Sequence, residues 1–443
     1  MCFPHPRNEA LASENSFHPM NMKINKHTLS NGLRLVHHED RSTQMVALNI
    51  VYDVGARDEH PDHTGFAHLF EHLMFGGSAN IPDYDTPLQR AGGESNAWTN
   101  NDITNYYLTV PKANVETGFW LESDRMMELA FSEQSLEVQR GVVMEEFKQR
   151  CLNQPYGDVG HLLRPLAYKV HPYRWPTIGK ELSHIANATL DEVKAFFFRH
   201  YAPNNAVLAV TGNIPWAEAV RLTEKWFGPL PRREVPLRRL PQEEEQREER
   251  RLVVERNVPL DALYLAFHTG CRGDADYYAH DILSDILSNG RSSRLVRRLV
   301  QERKLFSALD AYISGTRDAG LLHIGGKPSA GVTLEQAEEA IRRELEELCD
   351  RPVGAQELEK VKNKFESAQI FGNINYLNVA TNLAWFELAG EAEDIDREVD
   401  RYRAVTPEQL REVARRTFRR ENGVTLHYRS GLGEIGMNAS GDA

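Results

Sequence analysis

Cysteine is scarce: Cys2, Cys151, Cys271 and Cys349 are spread through 443 residues and form no paired metal motif. That pattern excludes a small disulfide-stapled domain and a cysteine-built zinc knuckle, and scattered thiols fit a reducing compartment. Long apolar runs are missing as well. No stretch approaches the ~18 residues of a membrane span, and residues 1–22 lack the apolar core of a secretory signal. The expected location is the cytoplasm, with the periplasm also compatible. Positive charge is in deficit, with a formal net charge of −12, which argues against nucleic acid as a general partner. The basic run from Arg291 to Arg303 reads as a solvated helix face. What the chain does have is length and 41% hydrophobic content, enough for two or more domains with real cores.

The most informative stretch is His68-Leu69-Phe70-Glu71-His72. Residues four apart in a helix lie one above the other, so His68 and His72 can direct ring nitrogens at one ion about 2 Å away. Glu71 lies beside that face, placed to take a proton from a water that the ion activates. The chemistry implied is metal-assisted hydrolysis. The spacing of Phe66, Ala67, Leu69, Phe70, Leu73 and Met74 predicts a helix, with Thr64 as its expected cap and Gly76-Gly77 as its end.

A catalytic zinc takes three protein ligands and keeps one position open. The third candidate lies in a second predicted helix, Ser135 to Phe147. There Leu136, Val138, Val142, Val143 and Phe147 are expected to share an apolar side that includes Glu146 and leaves Glu145 out. A carboxylate on a buried face needs a partner.

The chain also repeats itself. Thr189-Leu190-Asp191-Glu192-Val193 through Val207-Leu208-Ala209-Val210 pairs without gaps with Thr406-Pro407-Glu408-Gln409-Leu410 through Val424-Thr425-Leu426-His427, at an offset of 217 residues. Each copy reads as a capped helix, a turn and a strand. The metal motif has an echo in Asp281-Ile282-Leu283-Ser284-Asp285, where both histidines and the glutamate are absent. The expected organisation is a disordered segment 1–22, a zinc-binding catalytic domain 23–228, a linker 229–251 rich in proline, arginine and glutamate, a homologous domain 252–430 without a metal site, and a disordered tail 431–443.

With these motifs in place, the chain resembles the pitrilysin/insulinase-type zinc peptidases, called inverzincins because H-x-x-E-H inverts the H-E-x-x-H order. Asn31-Gly32-Leu33-Arg34-Leu35-Val36 is similar to the turn and strand that open the family's catalytic domain. Gly92-Gly93-Glu94-Ser95-Asn96-Ala97-Trp98-Thr99, followed by Asp102 to Tyr106, resembles the family's substrate-pairing edge strand. The resemblance implies one Zn2+ per chain held by His68, His72 and Glu146, with Glu71 as the base. Glu146 falls 74 residues after His72, close to the family spacing. It also implies that Asn96 and Ala97 lie where a peptide adds as a strand, and that substrates are short or unfolded peptides. The implied fold is α+β: two homologous domains, each a mainly antiparallel sheet with helices packed on one face.

Two departures stand beside the agreements. Gln139 occupies the place of a family glutamate on the ligand helix, an amide where an acid would support the ligands from behind. In the second half, alignment on Ser292-Ser293-Arg294-Leu295 puts Val300 and Ser307 where self-sufficient members carry a substrate-holding arginine and tyrosine. The chain thus resembles the zinc-bearing half of a heterodimer whose related subunit brings that pair. The alternative from another class is a non-catalytic assembly subunit of the same fold.

Overall fold

The computed structural model describes residues 22–431; the segments expected to be disordered, 1–22 and 431–443, lie outside the described residues except for Met22 and Gly431. Alternating apolar strands build two sheets. The first contains β1 (Asn25–Thr28), β2 (Arg34–Glu39), β3 (Met45–Tyr52), β4 (Glu94–Thr99), β5 (Thr104–Pro111) and β6 (Ala206–Gly212), in the order β1-β2-β6-β3-β5-β4. The second contains β7 (Arg250–Arg256), β8 (Ala262–His268), β9 (Phe306–Ile313), β10 (Leu321–Pro328) and β11 (Gly423–Ser430), in the order β7-β11-β8-β10-β9. Each has one parallel pair, β2 with β6 and β7 with β11, and is otherwise antiparallel.

The 217-residue repeat is visible in the register. Val207 pairs with Arg34 in the first sheet, and its counterpart Val424 pairs with Arg250 in the second. The chain is therefore α+β with two homologous domains. Strand alternation sends Leu48, Ile50, Leu108 and Leu208 into a core with helices of the same half, among them Phe66–Leu73, Val115–Met127 and Leu190–His200.

The opposite faces are covered by exchange. Val36, Ala47, Val51, Val207 and Ala209 pack under Val379, Ala380, Leu383 and Ala384 of helix Tyr376–Ala389, which belongs by sequence to the second half. Reciprocally, Leu163 and Ala167 of helix Val159–Ala167, together with Tyr168 and Tyr173, cover Ala262, Ala266, Val424 and Leu426 of the second sheet. The two exchanged helices begin 217 residues apart, at the same offset as the repeat.

Between Phe227 and Arg250 the chain forms neither helix nor strand, yet it is tied down on both halves. Arg238 pairs with Asp58 at 2.6 Å and Asp53 at 3.0 Å, the Glu243 carboxylate accepts the N–H groups of Lys169, Val170 and His171, and Gln246 donates to the carbonyls of Glu421 and Gly423. The β9–β10 turn reaches the first half, where buried Arg57 holds Asp318 at 2.8 Å and Asp102 at 3.2 Å. Among the described residues no helix is long and apolar enough to cross a membrane.

Candidate metal centre

His68 and His72 lie on helix Phe66–Leu73, as their spacing predicts. Thr64 does not cap it. The flanking residue is Gly65 in the left-handed region at φ 89°, where a Cβ would fall 2.6 Å from the Ile185 Cδ1 atom. Thr64 instead turns to the neighbouring loop, its hydroxyl 2.9 Å from His184 Nδ1 and accepting from the Lys180 N–H at 2.7 Å. The capping is done by Glu59, whose carboxylate oxygens accept the N–H groups of Gly65 and Ala67 at 2.9 Å each. Burial pushes the Glu59 carboxyl up to about 8, against the pull of those two bonds. Nothing local in the sequence marks Glu59 for this task, because the contact is made by a loop folding back.

The second helix runs from Glu133 to Phe147, with the Ser132 hydroxyl accepting the Ser135 N–H. Its buried face is Leu136, Val143 and Phe147. Val138 and Val142 are exposed, 54% and 47%, and do not share that face as expected. The core stripe follows i, i+7, i+11, and the two valines fall off its edge. Of the adjacent glutamates, Glu145 is exposed and pairs with Lys148, while Glu146 is half-buried and turns to the histidines.

Packing of these two helices brings three donors together. Glu146 Oε2 lies 3.4 Å from His68 Nε2 and 3.3 Å from His72 Nε2, and the three side chains form a group able to hold a metal ion. Bonds of about 2.05 Å in tetrahedral array put ligand atoms about 3.3 Å apart. The donor set and both carboxylate–imidazole separations therefore fit zinc. Burial lowers the basicity of His68, outweighing the nearby Glu146 carboxylate, so at neutral pH its imidazole is an uncharged donor.

Glu71 follows on the same helix, half-buried. Burial raises its carboxyl above the usual range, while the Thr99 hydroxyl and His72 act in the opposite direction. Thr99 closes β4, so the carboxylate stands beside that strand. β4 is the outermost strand of its sheet, pairing with β5 alone among the described residues. On it Asn96 is exposed and Ala97 half-buried, and the Ala97 N–H donates to Asn96 Oδ1 at 2.8 Å. Gln139 is half-buried near Gly76 and makes no side-chain hydrogen bond among the described residues. Val300 packs at the margin of the second core, and Ser307 sits on edge strand β9 with its hydroxyl donating to the Lys327 carbonyl at 3.2 Å. Sequence reasoning passed over Arg150, which pairs with Glu146 at 2.9 Å; its i+4 spacing was the available signal.

Comparison with known proteins agrees with this architecture. Residues 34–174 match the family model described as insulinase (peptidase family M16), and residues 187–365 match the one described as peptidase M16 inactive domain. The zinc protease PqqE of Helicobacter pylori is 32% identical over 343 residues, covering 76% of this chain and 77% of that protein. The uncharacterized zinc protease YmxG of Bacillus subtilis is 26% identical over 411 residues, covering 92% and 99%. The crystal structure of a protease from Helicobacter pylori superposes with a TM-score of 0.86 at 28% identity, covering 92% of this chain and all of that one. With both family models matched in sequence order and a relative 32% identical over three quarters of each chain, the chain belongs to the insulinase-type peptidase family M16.

Proposed function

We propose that the chain is a zinc-dependent endopeptidase acting on short or unfolded peptides. The observation that carries this reading is the convergence of His68, His72 and Glu146, whose donor atoms lie within 4.8 Å of one another, with Glu71 adjacent. His68, His72 and Glu146 would hold the ion, which supplies Lewis acidity that readies water for attack on a peptide carbonyl. Glu71 takes the proton from that water and returns it to the leaving amine; a carboxylate whose pKa burial has raised is the better base for this. The unpaired edge of β4 supports substrate binding by strand addition, with Asn96 releasing the Ala97 N–H to the incoming backbone. The relatives named zinc proteases support the metal assignment, and the match to the inactive domain spans 187–365, which excludes all four of these residues.

Val300 and Ser307 offer neither a cation nor a phenol, which supports action with a related subunit that supplies both. The same two residues, with Gln139, support the second reading, an assembly subunit without activity. Hydrolysis of a quenched-fluorescence peptide library by the purified chain, with and without chelator and with and without a related subunit, separates the two. Chelator-sensitive cleavage abolished by Glu71→Gln is expected, with metal retained in the variant. Absence of cleavage under every condition would leave the assembly reading.

A further inference from the structure

The Glu146 carboxylate is divided between two neighbours. Oε2 faces the Nε2 atoms of His68 and His72, while Oε1 forms an ion pair with Arg150 Nη2 at 2.9 Å. Arg150 lies one turn further along, where the helix widens to a π-turn over Lys148–Leu152 and the Asn153 N–H reaches the Lys148 carbonyl at 2.8 Å. Gln139, at the place where an acid would support the ligands, makes no side-chain hydrogen bond among the described residues. Arg150 is thus, among those residues, the one side chain besides the two imidazoles that engages Glu146.

We propose that Arg150 is the positioning residue of the metal centre: by gripping Oε1 it presents Oε2 alone to the ion and fixes the rotation of the carboxylate. The proposal rests on the reading of His68, His72 and Glu146 as ligands. A glutamate reaching from a separate helix has rotatable bonds to spare, and each must be frozen when metal binds. A guanidinium ion-paired to the far oxygen restricts them beforehand, the role that outer partners of ligands commonly serve. The Arg150 side chain is 67% exposed, so as a surface pair it adds little to folding stability, and its effect falls on the metal.

The test is zinc affinity, measured by competition with a chromogenic chelator, for the unsubstituted chain, R150A, R150K, E146Q and E146Q/R150A. R150A is expected to weaken zinc about tenfold, the lower end of what loss of an outer partner costs, with an unchanged melting temperature of the metal-free protein. R150K should recover most of that loss. In the E146Q background R150A should add nothing, because its only route to the metal is through that carboxylate. If E146Q weakens zinc while R150A binds it as the unsubstituted chain does, the positioning role is overturned and the ligand assignment survives. If E146Q binds zinc normally, the ligand assignment itself falls and takes the proposal with it.

Discussion

Helix Phe66–Leu73 and helix Tyr277–Ser288 occupy matching places in the two halves, and they close the same gap with opposite chemistry. The first offers two imidazoles to a carboxylate from its neighbour helix. The second carries Asp281, which accepts from the Tyr402 hydroxyl at 2.5 Å, and Asp285, which lies 3.7 Å from Lys364 on helix Ala355–Gly372. The second half therefore answers its helix carboxylates with a tyrosine hydroxyl and a lysine, whereas the first brings two imidazoles to a carboxylate that also pairs with Arg150. The fold plainly does not need histidines at this position. Their presence in one half alone, with His68 uncharged at neutral pH, is what a site for a metal requires and packing does not.

The largest effect expected from this comparison comes from making the first helix resemble the second. His68→Asp with His72→Asp should abolish stoichiometric zinc, read by metal content after dialysis; a protein that still holds one zinc per chain would break the comparison. Next is the exchanged helix. Leu383 is fully buried against the first sheet, so Leu383→Ala should cost about 2–5 kcal/mol in denaturant unfolding and should lower the stability of the half that carries the candidate metal centre, although the residue lies in the other half of the sequence. Proteolytic fragments from the first half that stay as protected as before would count against that.

A third prediction concerns Asp281, whose carboxyl burial pushes up from 3.8 to about 6. A carboxyl raised in the folded state favours the protonated form, so its contribution is full below pH 4 and is lost as pH rises through 6. Asp281→Asn should remove that slope and gain up to about 3 kcal/mol at pH 8, from the rise between 3.8 and about 6; a thermal-melt profile against pH with the slope intact in the variant would refute it. Smallest is Lys364→Met. The pair with Asp285 is long and the lysine 46% exposed, so the loss should stay below about 1 kcal/mol. A loss of several kcal/mol would show the lysine pair to be a main support of its half.

Much of this was legible in the sequence because it is local or periodic. The five-residue motif, the preference for Glu146 over Glu145 and the 217-residue offset all depend on spacing along one element or on self-similarity. Val138 and Val142 were misplaced because a face drawn wide enough to hold five apolar residues exceeds what a helix laid along another helix buries. Thr64 carries the right side chain for a cap, but Gly65 bends the chain at that point and hands the task to Glu59. The reciprocal exchange of helices Val159–Ala167 and Tyr376–Ala389 was illegible for a plainer reason: each helix has an apolar face, and nothing in its own residues says which sheet will receive it.

That exchange sets a timetable for synthesis. The strands of the first sheet are all present once Gly212 has left the ribosome, but its second face stays uncovered until Ala389 has followed. At about 5–20 residues per second, the interval is roughly 10–35 s. Through that time Val36, Ala47, Val51, Val207 and Ala209 face solvent or a chaperone, and the nascent chain is expected to be most prone to aggregation after its candidate metal ligands have all been made.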